Sequence, residues 1–207
     1  FKMPIQIRVD DDLHTVWIKD KDMVYEVPAN KRPKMVIFNA GMRIPCKLTF
    51  NKSISEWIIQ LEKGPHILDR IAAAKELSTK KGRHIVERAL LNAAKNDSFW
   101  GVRKEAVNAF AKLKSKKYAE DLMSMAEGQD NRVRRAIWNA LKNYKNDELV
   151  STFLQDVIST DEKYYSVADA YKALVAVDTA AARQKVDALL ETDSHSDVIR
   201  KSAITYY

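Results

Sequence analysis

Cysteine is almost missing from this chain of 207 residues: Cys46 stands alone, which excludes an internal disulfide and any multi-cysteine metal site. The five glycines are dispersed, and none belongs to a GxxxxGK or GxGxxG run, so no phosphate-cradling loop is encoded. HExxH, the helical zinc signature, does not occur either. No apolar run approaches the roughly 20 residues needed to span a membrane as a helix. The histidines are His14, His66, His84 and His195, far apart in sequence. His84 and Glu87 sit one helical turn apart, but they lack a third ligand and Arg88 beside them opposes a cation, so they read as a solvated helix start. Ser194, His195 and Asp197 are adjacent in sequence, which is not triad geometry, and that segment reads as a turn between helices. Cys46 follows Pro45 in a strand-like run and reads as a buried, inert thiol. No catalytic residue and no metal ligand is expected within the chain.

What is present is ordinary for a folded protein: 46% apolar and 30% charged residues, with a net charge of +7. The charge falls from +6 over residues 1–83 and +4 over 84–150 to −3 over 151–207, and basic residues alternate with acids, as in Arg103-Lys104-Glu105. Interleaving of this kind makes a salt-laced solvated surface, so a nucleic-acid partner is not expected.

The strongest pattern is a repeat. Arg70, Arg103, Arg134 and Arg200 recur at intervals of 33, 31 and twice 33, with Val167 where one arginine is skipped. Three residues after each come Ala73, Ala106, Ile137, Ala170 and Ala203; four further on come Leu77, Phe110, Leu141, Leu174 and Tyr207. Such a period is that of stacked helix pairs, because one pair cannot bury its own apolar face. The first helices are predicted over 85–94, 118–126, 148–158 and 180–190, and the second helices carry the recurring arginines and alanines. Asp97, Asp130, Asp161 and Asp193 stand where helix starts are capped. The text Val102-Arg103-Lys104-Glu105-Ala106, echoed by Val133-Arg134-Arg135-Ala136-Ile137 and Ile199-Arg200-Lys201-Ser202-Ala203, resembles the HEAT repeat. That resemblance implies an aspartate–arginine ladder between repeats. Asp97 to Arg103 is a longer step than Asp130 to Arg134, so a uniform ladder is not expected.

The first fifty residues differ. Ile5, Ile7 and Val9 alternate with Gln6 and Arg8, and short β-branched or aromatic runs follow at 15–19, 23–27, 35–38 and 47–50. Five strands separated by polar turns and the breaker-rich stretch 28–33 suggest part of a β-sandwich. Phe1 is not an initiator methionine, and the chain enters directly into a strand pattern, so we read it as a piece of a longer protein. At Ser53 the character changes: Ser53 and Glu56 have capping-box spacing ahead of Trp57, Ile58 and Leu61, and Gly64-Pro65 closes that helix. The expected fold is therefore α+β and mostly α. It places a small, partial β-sandwich over residues 1–52, followed by an α-α superhelix of HEAT-like pairs over 53–207.

Trp17, Trp57, Trp100 and Trp138 read as apolar anchors. Trp100, just ahead of a second helix, and Tyr164-Tyr165 in the corresponding loop of a later repeat are candidates for a shared groove.

The order of these parts, with Pro33-Lys34-Met35-Val36-Ile37-Phe38-Asn39, Glu56-Trp57 and Leu68-Asp69-Arg70-Ile71-Ala72-Ala73, resembles the C-terminal half of M1-family zinc aminopeptidases. The resemblance implies a catalytic domain ahead of this region, holding the zinc and its HExxH and GxMEN motifs. This chain would then be noncatalytic, with a helical wall that packs on the catalytic domain and limits which peptides enter. Arg103, Arg134, Arg135 and Trp100 are the residues we would expect to meet a peptide on its inner face. The same domain order occurs in an inactive relative of these enzymes, so the alternative is a HEAT-type scaffold that binds a protein partner.

Overall fold

Residues 2–27, 29 and 31–205 are described by the computed structural model; Phe1 of the first strand-like run, Pro28 of the breaker-rich stretch and Tyr207 of the last repeat copy lie outside them. Strand β1 (Met3–Val9) pairs antiparallel with β2 (Asp12–Ile18), setting Ile5 opposite Val16, and on its other side with β3 (Val36–Phe38), setting Arg8 opposite Ile37. The tight turn after β1 is tied to β3: Asp10 Oδ1 accepts the backbone N–H groups of Lys34 and Met35, both at 2.9 Å.

Among the described residues the sheet thus has three strands where the sequence suggested five. Residues 23–27 and 47–50 form no strand. Instead, Tyr25, Val27, Pro33 and Phe50 gather over the sheet face carrying Ile7, Val9, Val36 and Phe38, around a cavity of about 300 Å³. The second layer of the expected sandwich is therefore supplied by chain without a ladder. Cys46 is likewise outside any strand and exposed, a correction to the buried thiol expected.

Helix α1 (Ile54–Lys63) begins as its sequence dictates. Ser53 Oγ accepts the Glu56 N–H, and Glu56 Oε2 accepts the Ser53 N–H at 2.8 Å, closing the capping box. The Ser53 hydrogen bonds also hold the Glu56 carboxyl below its usual range. There follow α2 (Ile67–Leu77), α3 (His84–Asn96), α4 (Trp100–Leu113), α5 (Ala119–Ser124), α6 (Asn131–Leu141), α7 (Glu148–Thr160) and α8 (Tyr164–Val177). The helix expected over 180–190 is two, α9 (Thr179–Gln184) and α10 (Val186–Glu191), broken at Lys185; α11 (Val198–Ile204) ends the series.

Consecutive helices pair as α1–α2, α3–α4, α5–α6 and α7–α8, and the second members pack on one another from α2 through α4, α6 and α8 to α11. Ala73, Ala106, Ala109, Ala170, Ala173 and Ala203 are wholly buried in that layer. Their small side chains let the helix backbones approach closely, which explains why alanine recurs there. The first helices α3 and α5 make no comparable contact with each other. One continuous core runs from Trp57 to Ala203.

The sheet is keyed to the first helix pair. Gly41, with φ at 73°, donates its N–H to Asp69 Oδ1 at 2.9 Å, and a Cβ there would lie 3.2 Å from the His66 ring. Gln60 Nε2 donates to the Asp69 carbonyl at 2.8 Å, locking α1 to α2 beneath the same point.

Candidate interaction surface on the second helices

The recurring arginines face the next repeat. Arg70 donates through Nε and Nη2 to both oxygens of Asp97, at 2.7 and 3.1 Å. Arg134 Nη2 donates to Asp161 Oδ2 at 2.5 Å. Between these two rungs, Arg103 Nε donates instead to the amide oxygen of Gln129 at 2.8 Å, while its Nη1 donates to the carbonyls of Asp97 and Ser98. Where Val167 replaces the arginine the rung is gone, and Arg200 pairs locally with Asp197 and Asp193. The ladder is real but uneven, as the unequal spacing suggested.

Of the four expected cappers only Asp130 is the N-cap of the helix that follows, accepting the Arg132 N–H at 2.9 Å. Asp97 and Asp161 end α3 and α7 and accept the Phe99 and Lys163 N–H groups at Oδ1; Asp161 keeps Oδ2 for the ladder, while Asp97 Oδ1 accepts from Arg70 as well. Asp193 is fully solvated apart from Arg200.

Two expected peptide-contact residues, Arg103 and Arg134, thus spend their donors inside the solenoid. The other two are half-buried like them. Trp100 opens α4, and the guanidinium of Arg132 stacks 3.4 Å above its ring. Arg135 donates to Asp169 Oδ2 at 2.6 Å and lies 5.0 Å over the Tyr165 ring at the start of α8. Trp100, Arg132 and Tyr164-Tyr165 all stand at the N-terminal ends of successive second helices, so they share one edge of the layer. Arg132 escaped the sequence reading; its signal is an arginine two residues after an aspartate cap, where both groups can meet. Flat guanidinium–aromatic pairs present apolar faces and unused N–H donors together, a combination suited to polypeptide contacts.

Arg132 grips Asp130 through two hydrogen bonds, at 2.9 and 2.8 Å. The Arg132 side chain, then its backbone N–H, holds the Asp130 carboxyl down to about 2. An unfolded aspartate titrates near ~3.9, so the stabilisation is complete above that pH and is lost as pH falls toward 2. Half-exposure of Arg132 keeps it modest. We expect the urea-midpoint gap between wild type and Asp130→Asn to close on acidification from pH 5 to pH 2; a gap that stays constant would rule this out.

On the opposite, first-helix side a groove of about 830 Å³ runs between α1, α3 and α5, lined by Ile58, Ile85, Arg88, Tyr118 and Met125 among others. His84 sits at its rim with both ring nitrogens engaged, Nδ1 3.0 Å from Glu87 and Nε2 3.3 Å from Lys117. No group of three or more His, Cys, Asp or Glu side chains that could hold a metal occurs among the described residues. Ser194 Oγ accepts the Ile199 N–H and Asp197 binds Arg200, so this turn assembles no triad. No helix among the described residues is long and apolar enough to cross a membrane.

Stacked helix pairs with an arginine ladder and one shared core define a helical-repeat scaffold. The family model for HEAT repeats matches residues 54–142 and, overlapping it, 86–168. Those matches cover more than half of the chain, which belongs to the HEAT-repeat family. No curated protein matches it.

Proposed function

We propose that this chain is a noncatalytic HEAT scaffold that packs beside the catalytic domain of an M1-like zinc aminopeptidase and limits which peptides reach the metal. The observation that carries the reading is an uncovered apolar surface on the N-terminal part. Leu13, Trp17, Met23 and Tyr25 are exposed there, and Val24 is 91% exposed, whereas the exposed large apolar side chains of the helical part, Ile67, Leu68, Ile85, Leu149, Tyr165 and Ile204, are spread over α2, α3, α7, α8 and α11. An apolar patch of this sort marks a polypeptide contact. On this reading residues 1–52 form the module that meets the catalytic domain and residues 53–207 the wall. The zinc and its ligands belong to the catalytic domain, where the metal activates water for attack on the peptide carbonyl. Excluding large substrates asks only for a rigid barrier, which consecutive helix pairs supply. Of the residues expected to meet peptide, we assign that role to Trp100, because Arg103, Arg134 and Arg135 each bond a side chain of the next repeat.

The test uses aminoacyl-anilide hydrolysis and association together. This chain with added zinc should show no hydrolysis, and the region of the gene preceding it should encode HExxH. That preceding segment, expressed separately, should bind this chain, with Trp17→Asp plus Val24→Asp weakening the association about tenfold or more. Hydrolysis by this chain alone, or a preceding segment without HExxH, would overturn the aminopeptidase reading. The second reading, a scaffold for a protein partner, draws support from the Trp100–Arg132 and Arg135–Tyr165 stacks, and it stands if the preceding segment lacks HExxH.

A further inference from the structure

At the seam between sheet and helices lies a second cavity, of about 150 Å³, whose walls are mostly Ile37, Phe38, Met42, Ile44, Leu48 and Phe50, and which is partly open to solvent where Met42, Cys46 and Leu48 are exposed. Asp69 contributes to its lining. That side chain is only 2% exposed; Oδ1 accepts the Gly41 N–H, and Oδ2 has no hydrogen-bond partner at all. A buried carboxylate oxygen without a donor is costly, so its persistence asks for an explanation.

Nearby polar groups are engaged elsewhere. Asn39 bonds the Ile44 backbone through both its amide atoms, and Gln60 links Lys52 to the Asp69 carbonyl. Water held in such a space wants two to four polar partners, and the apolar walls offer few. The ammonium of Lys52, lodged 4.4 Å from the Trp57 ring and 4.9 Å from the Phe50 ring, already supplies the positive charge, which disfavours a second cation. What remains suitable is a neutral, flat, apolar body with one hydroxyl donor. An apolar cavity of about 150 Å³ is large enough for a benzene ring.

We propose that this cavity recognises a phenol group, the ring lying among the apolar side chains and the hydroxyl donating to Asp69 Oδ2. A free small phenol and a tyrosine side chain of a bound polypeptide present the same chemistry. Asp69→Asn is the discriminating variant: its amide oxygen still accepts the Gly41 N–H, while its NH₂ occupies the place of the free acceptor.

The test titrates wild type and Asp69→Asn with p-cresol, toluene and a capped Gly-Tyr-Gly peptide, following the Trp57 indole resonance. Cys46, which lines the same cavity, provides an independent readout through its rate of alkylation. p-Cresol should bind wild type, slow alkylation and lose about tenfold in affinity in Asp69→Asn, while toluene binds both forms alike. Tighter binding of the peptide than of p-cresol assigns the site to a tyrosine side chain, and the reverse assigns it to a free phenol. Equal binding of p-cresol and toluene to wild type overturns the proposal and leaves an apolar cavity that does not read the hydroxyl; no saturable shift with any probe overturns it as well. The outcome is independent of whether an aminopeptidase domain adjoins the chain.

Discussion

Replacing Trp138 with alanine should lower unfolding stability by about 3–5 kcal/mol, read as a fall in the urea midpoint. Trp138 is 1% exposed and the largest fully buried side chain among the described residues. Its ring lies 5.6 Å from Phe153 of α7, and its Nε1 donates to Ser166 Oγ of α8 at 2.7 Å. A single side chain of α6 therefore joins its own repeat to both helices of the next. In a solenoid, stability is the sum of each repeat and its interfaces, so this loss falls on the interface that holds the C-terminal pairs in place. Trp138→Phe separates the two contributions. It keeps most of the apolar contact but leaves Ser166, which is wholly buried, without its donor, at a cost of about 1–3 kcal/mol. Adding Ser166→Ala to Trp138→Phe should recover part of that cost, since two apolar partners leave nothing unpaired. A Trp138→Ala loss below about 1 kcal/mol would mean that the repeats are not joined through this ring.

The helical part was legible because its signal is local. The capping box at Ser53 needs only four residues, and the alanine positions fall on one face every few residues. The sheet was harder: residues 23–27 have strand composition, but a strand also needs a ladder partner, and composition cannot name one. Cys46 was misplaced for the same reason, read as part of a strand that does not form. Sequence placed Trp100, Arg103, Arg134 and Arg135 in similar text but could not say what each arginine would bond, because Gln129, Asp161 and Asp169 arrive 26, 27 and 34 residues later in the chain. Asp69 was no more conspicuous, because its free oxygen exists only once Gly41 has folded against it.

That distinction sets up the other large effect, in the ladder itself. Asp161 is 3% exposed at its side chain and Arg134 26%, so removing the arginine strands a buried carboxylate whose remaining donor is the Lys163 N–H. Arg134→Ala should cost about 3 kcal/mol, at the low end for breaking a buried pair because water can approach from the arginine side. Arg103 makes a rung of similar shape to a neutral amide oxygen, so Arg103→Ala leaves no charge uncompensated and should cost about 1 kcal/mol. The double variant Arg134→Ala plus Asp161→Ala should be less destabilised than the sum of its singles by about 1–3 kcal/mol, since the second change removes the stranded charge. Equal costs for the Arg103 and Arg134 variants would show that the rungs act by side-chain packing alone. Unequal costs in the direction given would instead make the ladder's irregularity an energetic map of the solenoid, with the interface at Arg103 and Gln129 its softer joint and the one at Arg134 and Asp161 its firmer one.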